Sequence, residues 1–485
     1  MPSSPAFQQQ VRNRAVLEGL LAESTDTETR LRNLAQANQR HRTAINEALN
    51  DTVPLNSVVP QEIITEIFSL VRQDQLDRRA QGSFASLPTP FLLSQVCRAW
   101  RNGVRANVRL WNVITIQLSP RTYEKQVELI KFQLIRAGSS KLDIYIERGT
   151  MDPPEELFNL LLETSSQWRT FDSIGFGGLS KALSRRGYIF PSLRTLILKD
   201  CLGPYIGDYD FTRTEQLDTL VFDRSGSSIL QHESLFAWNQ LRSLTLNTRV
   251  GAGLISKLQY FVRLEKLTLT LSSVNQGHDA LQPFDSTSQS PLLPCLTQLT
   301  IIDPSPFDRC ASRFLEHVNA PKLKRLTVDS LYIHWINSVK NSKDLEELTV
   351  FNAEYECTAL ASIKNFPSLV KLTIHSARSS LSDEFIELLN PVGGDSNLQK
   401  LTSIQYYGGK ISFSLDAMTA MLRNRLAHST THGFAVLKTF DIKYTNRRWA
   451  QDITSSDPNA WGPFYLEVAR LAASGTTLNI TCVQT

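Results

Sequence analysis

A short leucine pattern recurs from Leu193 onward in this 485-residue chain and constrains its fold more than any other feature. The pattern is L-x-x-L-x-(L/I/V/F), and each copy predicts a short strand with one apolar face. Clear copies start at Leu193, Leu217, Leu241, Leu264, Leu296, Leu323, Leu345 and Leu369. Two weaker copies start at Leu398 and Leu437. Because successive clear copies start 22 to 32 residues apart, the pattern predicts stacked repeats that bury their apolar edges on each other.

Residues 59–111 carry apolar clusters on either side of a polar spacer. Pro60 suits the first turn of a helix. The helical stripe after it is formed by Ile63, Ile64, Ile67, Phe68 and Val71. So small a module cannot bury this much apolar surface alone, and leftover apolar surface indicates a partner site. The alternative is that the stripes pack against the rest of the chain.

These clusters resemble an F-box, in which Leu-Pro-x-Glu-Ile/Leu-Leu, Val-Cys-(Arg/Lys)-x-Trp and Leu-Trp occur in this order. The chain has VPQEII at 59–64, VCRAW at 96–100 and LW at 110–111. Val59 replaces the commoner leucine, and the spacer from Gln73 to Pro90 is longer than usual. The resemblance, which is closest to fungal F-box proteins, implies docking to a Skp-type adaptor and through it to a cullin. The adaptor-binding residues that it implies are Pro60, Ile63, Ile64, Ile67, Phe68, Leu93, Val96, Cys97 and Trp100.

The repeats resemble the irregular leucine-rich repeats that follow F-boxes. The implied fold class is α/β, with an N-terminal helix, a small helical F-box module and then a leucine-rich-repeat solenoid with parallel strands. The predicted boundaries are 1–52 for the N-terminal helical segment and 53–116 for the F-box domain. Residues 117–190 are predicted to form a transition of helices and strands that caps the solenoid, and residues 191–485 the solenoid itself.

Strand alternation predicts which side chains leave the core. If Leu196 and Leu198 face the core, Ile197 and Lys199 face outward onto a concave surface. The central outward column is Ile197, Val221, Thr245, Thr268, Thr300, Thr327, Thr349 and Thr373. Threonine suits an exposed strand, so this column needs no ligand to explain it. The next column is chemically varied and is the predicted substrate-binding surface: Lys199, Asp223, Asn247, Thr270, Ile302, Asp329, Phe351 and His375.

The N-terminal segment is predicted to be disordered over residues 1–10 and helical from Val11 to Leu49. A weak heptad pattern is formed by Leu31, Leu34, Asn38, His41, Ile45 and Ala48. A short coiled coil and a helix packed against its own protein both fit this pattern.

Composition and missing motifs narrow the function. The net charge is +4 without a basic run, so no nucleic-acid partner is expected. The six cysteines form no CxxC pair, which indicates reduced thiols and no metal site. The start of the chain lacks a signal peptide and no apolar run reaches membrane length, so a cytoplasmic or nuclear protein is expected. We find no phosphate loop, nucleophile elbow or His-Glu-x-x-His motif, and therefore expect neither catalysis nor a cofactor.

The predicted function is that of a substrate-receptor subunit of a cullin–RING (SCF-type) ubiquitin ligase. The F-box would dock the Skp-type adaptor, and the repeats would bind an unknown protein substrate. The alternative is an F-box and repeat scaffold that acts outside any ubiquitin ligase. Dependence of a bound partner's ubiquitination on the F-box separates the two.

Overall fold

A computed structural model describes residues 5–51, 59–80, 88–117, 123–147, 155–174, 188–199, 214–222, 237–248, 255, 257–271, 291–303, 310–329, 339, 342–351, 361–391, 398–431, 434–444, 466, 468–470, 472–473 and 477–482. The chain divides into two compact units, Met1–Ile114 with Leu129–Ser140, and Thr115–Glu128 with Lys141–Thr485. In the described part of the chain, no helix is both long enough and apolar enough to cross a membrane.

Helices make up most of the first unit. They are α1 (Pro5–Asp51), α2 (Gln61–Ala80), α3 (Thr89–Ser94) and α4 (Arg98–Ala106). The prediction of disorder over residues 1–10 is wrong from Pro5 onward, where α1 begins. Proline is well tolerated in a first helical turn, and the glutamines that follow it are good helix formers.

Helix α2 continues through the first part of the predicted polar spacer and ends at Ala80. Asp74 and Arg78 form an i,i+4 ion pair at 2.9 Å, which supports this added length. Arg78 and Arg79 occupy the last turn, where positive charge is favourable against the helix dipole. The polar residues of the spacer up to Ala80 therefore form part of a helix rather than a loop.

Strands and shorter helices follow in alternation. Strand β1 is Val113–Gln117 and helix α5 is Tyr123–Ala137. Gly138, which follows α5, has a φ of 56°, a conformation that glycine adopts readily at a helix end. The next strands are β2 (Leu142–Glu147), β3 (Trp168–Ile174), β4 (Thr195–Lys199), β5 (Thr219–Phe222), β6 (Ser243–Thr248), β7 (Lys266–Leu271), β8 (Gln298–Ile302) and β9 (Arg325–Asp329). The last are β10 (Glu347–Phe351), β11 (Lys371–Leu381), β12 (Ser403–Ile411), β13 (Thr439–Tyr444) and β14 (Thr477–Cys482). Further helices are α6 (Glu155–Leu162), α7 (Cys310–Glu316), α8 (Asp383–Leu388) and α9 (Leu415–Thr431).

The strands form one sheet whose order follows the chain, and the described pairs from β2 to β14 are parallel. All eight clear repeat copies form strands of this sheet, as predicted. The fold is therefore a mixed α/β fold with N-terminal helices followed by a parallel repeat sheet. Strands β2 and β3 belong to the same sheet, so it begins upstream of residue 191, the predicted start of the solenoid.

Burial follows the leucine pattern. In β4 the even positions Leu196 and Leu198 are buried, and Thr195, Ile197 and Lys199 are half-buried. A tight turn precedes each strand from β4 to β12: the amide of Leu369, for example, donates to the carbonyl of Phe366 at 3.1 Å. The repeated leucines thus supply both the turn and the inward face of each strand.

The weak copy predicted to start at Leu398 is three residues too early. Ile404 pairs with Leu372, so Leu401 is the residue equivalent to Leu369. The amide of Leu401 donates to the carbonyl of Leu398 at 3.3 Å, which is the turn that Phe366 and Leu369 form one repeat earlier. The prediction failed because Leu398 and Leu401 are both buried and share the i,i+3 spacing of the repeat pattern.

Arg425 joins the ends of two repeats. Its side chain, on α9, is 1% exposed and donates to the carbonyls of Leu389, Leu401 and Leu398 at 2.9, 3.2 and 3.3 Å. Burial lowers the pKa of the guanidinium to about 10, so it stays charged at neutral pH. The positive charge strengthens three hydrogen bonds, one to the carbonyl at the carboxyl end of α8 and two to carbonyls of the turn before β12.

Candidate functional site

The helical module, residues 59–111, has a small aromatic core. Phe68 on α2 is fully buried, and its ring meets that of Trp100 on α4 edge to face at 5.0 Å. Ile64 and Leu93 are buried as well. A Cβ at Gly103 would lie 2.9 Å from the side-chain amide nitrogen of Gln61 and 3.4 Å from the Phe68 ring, so α2 packs closely on α4 at this position. The face of α2 that carries Ile64 and Phe68 is therefore covered by other residues of the module.

Cys97 has a structural place in this core. It is 1% exposed, and its Sγ accepts a hydrogen bond from the amide of Trp100 at 3.4 Å. This makes Cys97 the residue that caps the amino end of α4. Cys97, which the sequence placed among the adaptor-binding residues, therefore packs inside the module and caps α4.

A second apolar face runs along α2 and is open to solvent. Ile63 is 51% exposed, Leu70 61% and Val71 38%, and Ile67 between them is half-buried. Ile63, Ile67 and Leu70 are spaced by four and three residues, so they lie on one side of the helix. We call this the outer face of α2. Nearby exposed apolar residues of the same module are Leu92, Val96 and Val108.

The structure divides the predicted adaptor-binding residues by exposure. Those buried inside the module are Ile64, Phe68, Leu93 and Cys97. Those at or near the surface are Pro60, Ile63, Ile67, Val96 and Trp100, of which Ile67 and Trp100 are half-buried. Sequence reasoning missed Leu70 and Leu92, because a helix with two apolar faces does not reveal which face is covered.

The outward columns of the repeat sheet are in register. The central column pairs residue by residue from Ile197 to Thr373. Its threonines are half-buried apart from Thr373, which is buried. The residues of the next column that the structure describes are also half-buried: Lys199, Asn247, Thr270, Ile302, Asp329, Phe351 and His375. Asp223 lies outside the described residues.

A stack of rings occupies the end of the second column. Phe351 and His375 lie with ring centroids 4.3 Å apart and planes at 18°. His375 and Tyr407 follow at 4.5 Å and 10°, and the Nζ of Lys443 lies 5.2 Å from the Tyr407 ring centroid. These spacings match the distance between neighbouring strands, about 4.8 Å, so parallel pairing sets the stack. We call the three rings of Phe351, His375 and Tyr407, together with the Lys443 side chain beside them, the ring stack.

The ring stack presents hydrogen-bond donors and ring edges. The faces of His375 and Tyr407 and one face of Phe351 are covered by their neighbours in the stack. This leaves mainly the ring edges for a partner, and aromatic edges carry partial positive charge. Burial lowers the pKa of His375 below its ordinary value, so the imidazole is neutral at pH 7 and offers one N–H. The Tyr407 hydroxyl adds a further donor, and so does the Lys443 ammonium, whose Nζ also lies 3.9 Å from Oδ2 of Asp441. Such a strip suits carboxylate or carbonyl acceptors.

Sequence reasoning found half of the ring stack. Phe351 and His375 belong to the predicted substrate-binding column, but Tyr407 and Lys443 were missed. Tyr407 pairs with His375 and with Lys443 only in the corrected register of the weak copies. The weak copy at Leu437 has the correct register, so extending the column to that copy would have included Lys443.

Metal binding finds no support in the described residues, where no group of three or more histidine, cysteine or acidic side chains is placed to hold an ion.

Comparison with known proteins gives little beyond the geometry. No protein-family model and no curated protein matches the chain. Among solved structures, a leucine-rich-repeat protein of Leptospira interrogans is similar to it at 12% sequence identity and a TM-score of 0.31. That match covers 78% of this chain and 92% of the other. The repeat architecture of this chain therefore rests on its own strand order and burial pattern.

Proposed function

We propose that this chain is a substrate-receptor subunit of a cullin–RING (SCF-type) ubiquitin ligase. The helical module would act as an F-box that docks a Skp-type adaptor, and the repeat sheet would hold a target protein. The observation that carries the proposal is the outer face of α2, which leaves Ile63 and Leu70 more than half exposed beside a completed core. An apolar surface of this kind on a small helical unit is typical of a partner site.

The chain would contribute proximity rather than chemistry. Holding a target beside a ubiquitin-loaded enzyme raises the effective concentration of its lysines, and this needs neither a catalytic residue nor a cofactor in the receptor. Such a receptor would work in the cytoplasm or the nucleus. The ring stack would contact the target, with Lys443 and Tyr407 binding carboxylate or carbonyl groups.

The second candidate is a scaffold that uses the same two surfaces outside any ubiquitin ligase. The ring stack favours this candidate as much as the first, because its ability to bind a protein does not depend on the helical module. The two candidates differ in what the outer face of α2 binds and in the fate of the protein held by the repeats.

Co-purification with a Skp-type adaptor tests the first candidate. We expect a one-to-one complex with the wild-type chain, and its loss in the Ile63→Asp/Leu70→Asp variant, because two carboxylates would be buried in an apolar interface. The matched control is Ser69→Asp/Gln73→Asp, which adds the same two charges to exposed polar positions of α2. The control is expected to bind like the wild type.

Two results would count against an adaptor-docking role. One is a folded wild-type chain that forms no complex, and the other is unchanged binding by the Ile63→Asp/Leu70→Asp variant. Loss of binding in the Ser69→Asp/Gln73→Asp control as well would show that negative charge on α2, rather than its outer face, decides the outcome.

A further inference from the structure

Helix α1 carries a long apolar stripe that is exposed to solvent. Its large apolar residues that the structure describes as exposed are Val16, Leu17, Leu20, Leu21, Leu31, Leu34, Ile45 and Leu49, each between 47% and 69% exposed. The helix is continuous from Pro5 to Asp51. The sequence left open that this helix packs against its own protein. Along the exposed stripe it does not.

The stripe follows one heptad frame. If Leu17 takes position a, then Leu31 and Ile45 are also at a, and Leu20 and Leu34 are at d. The remaining exposed apolar residues fall on the flanking e and g positions. The frame runs from residue 17 to residue 48, or about four and a half heptads, which exceeds the three to four heptads that indicate a coiled coil. The predicted heptad thus extends toward the amino end by two heptads.

An ion-pair cluster fixes the carboxyl end of α1 within the first unit. Glu47 accepts hydrogen bonds from Arg98 at 2.9 Å and Arg101 at 3.1 Å, and both contacts hold the pKa of its carboxyl below its usual range. Glu47 lies at position c of the frame, off the seam. This contact therefore leaves the a and d positions available to a partner.

The polar residues in the seam identify the partner. Positions a and d also contain Ser24, Thr27, Asn38 and His41. The Thr27 hydroxyl donates to the Glu23 carbonyl of its own helix at 2.8 Å, but against a fully apolar helix Ser24, Asn38 and His41 would lose hydrogen bonds to water, which is costly. A second α1 aligned in parallel brings the same polar group to the same height, and a buried Asn at one a position is the known device for fixing register and favouring two strands.

We propose that α1 forms a parallel, in-register, two-stranded coiled coil with α1 of a second copy, so that the protein is a homodimer. The polar layers give this dimer its register and reduce its stability. Glu23 and Glu28 flank the seam, and Glu23 of one copy lies near Glu28 of the other in a parallel pair. Added salt is therefore expected to tighten the dimer by screening this repulsion.

The mass of the full chain in solution tests the dimer. One chain has a mass of 54.6 kDa, and light scattering after size exclusion is expected to give twice this value for the wild type. The Leu31→Glu/Leu34→Glu variant is expected to run as a monomer. The matched control Asn33→Glu/Gln36→Glu adds the same two charges to the same stretch at c and f positions, and is expected to stay dimeric.

The proposal is overturned if the wild-type chain has the mass of one copy at micromolar concentration, or if the Leu31→Glu/Leu34→Glu variant remains a dimer. A monomeric control would equally contradict it, because the seam would then not be the contact. Circular dichroism of each variant excludes loss of helix as the cause of a lower mass.

A single added cysteine tests the direction of the pair. In a parallel, in-register dimer, Leu17→Cys places the two thiols opposite each other, and mild oxidation is expected to give a cross-linked dimer that the wild type does not give. The f-position control Gln36→Cys is expected to give none. An antiparallel pair would bring residue 17 opposite the far end of the seam, so absence of the cross-link in a dimeric Leu17→Cys variant would refute the parallel arrangement.

Discussion

Helix α2 and strand β10 both carry large apolar side chains but cover them differently. In β10, Leu348 and Val350 are fully buried by the neighbouring strands, while Thr349 and Phe351 on the other side are half-buried. In α2, Phe68 is buried but Ile63 and Leu70 on a different side of the helix are exposed. One element finishes its packing within its own unit, and the other leaves an apolar face open.

The difference follows from how each element repeats. A strand has two faces, and stacking identical strands covers the same face of every one, so the repeats complete their own core. A helix in a small module can have more apolar sides than its few neighbours can cover. The apolar residues of the repeats are therefore explained by folding alone. On α2, folding explains the buried side around Phe68, and the exposed side around Ile63 and Leu70 is left for a partner.

The sharpest contrast is between buried and exposed apolar residues of α2. Phe68→Ala is expected to lower the free energy of unfolding of the first unit by about 4 kcal/mol, because it leaves a cavity beside Trp100. Ile63→Ala should change it by less than about 1 kcal/mol, since its side chain is already half in water. Denaturant unfolding followed by tryptophan fluorescence measures both. Similar losses for the two variants would mean that the outer face is part of the core.

Arg425 tests whether the repeat unit depends on more than leucine stacking. Arg425→Met is expected to cost about 3 kcal/mol, because three buried carbonyls lose a charged donor. The matched control is Arg423→Met on the exposed side of the same helix, which should cost less than about 0.5 kcal/mol. Urea unfolding of the two variants gives the difference. Equal midpoints would show that the carbonyls find other donors.

The ring stack should make stability depend weakly on pH. Burial lowers the pKa of His375 from its ordinary 6.5, so the folded chain binds fewer protons than the unfolded chain near that value. Stability is therefore lost as the pH falls below the unfolded pKa of about 6.5. His375→Phe keeps a ring in the stack and removes the titration. We expect the wild type to lose stability relative to this variant between about pH 7.5 and about pH 5.5; parallel pH profiles would contradict the assignment.

The sequence predicted the parts of the fold that one short pattern determines. Leucines at alternate positions define both the strand and its buried face, so β4 to β11 and the threonine column could be read from single repeats. The ring stack could not, because the contact of His375 with Tyr407 depends on the register between two strands. Register is set by the turn before each strand. Leu398 and Leu401, which form the turn before β12, are three residues apart, and this is also the spacing of the first two leucines in the repeat pattern, so the sequence does not show which leucine starts the repeat.

The helical segments were harder to predict for a different reason. Helical periodicity places Ile63, Ile64, Ile67 and Phe68 on a broad apolar side, but it does not show which part the neighbouring helices cover. The polar residues after Gln73 fit a loop as well as a solvated helix, and ion pairs such as Asp74 with Arg78 favour the helix. For the candidate docking site, the structure therefore added chiefly the burial of each residue, which separates the covered Ile64 and Phe68 from the exposed Ile63.

Ubiquitination of proteins held by the repeats tests the central proposal most directly. The measurement is mass spectrometry of ubiquitin remnants on proteins that co-purify with the wild-type chain, with Ile63→Asp/Leu70→Asp and with the Ser69→Asp/Gln73→Asp control. We expect the same proteins with all three chains, and remnants on them that disappear only with the Ile63→Asp/Leu70→Asp variant. Remnants that persist at wild-type levels with that variant would contradict a role for the outer face of α2 in a ubiquitin ligase and would leave the scaffold as the better account.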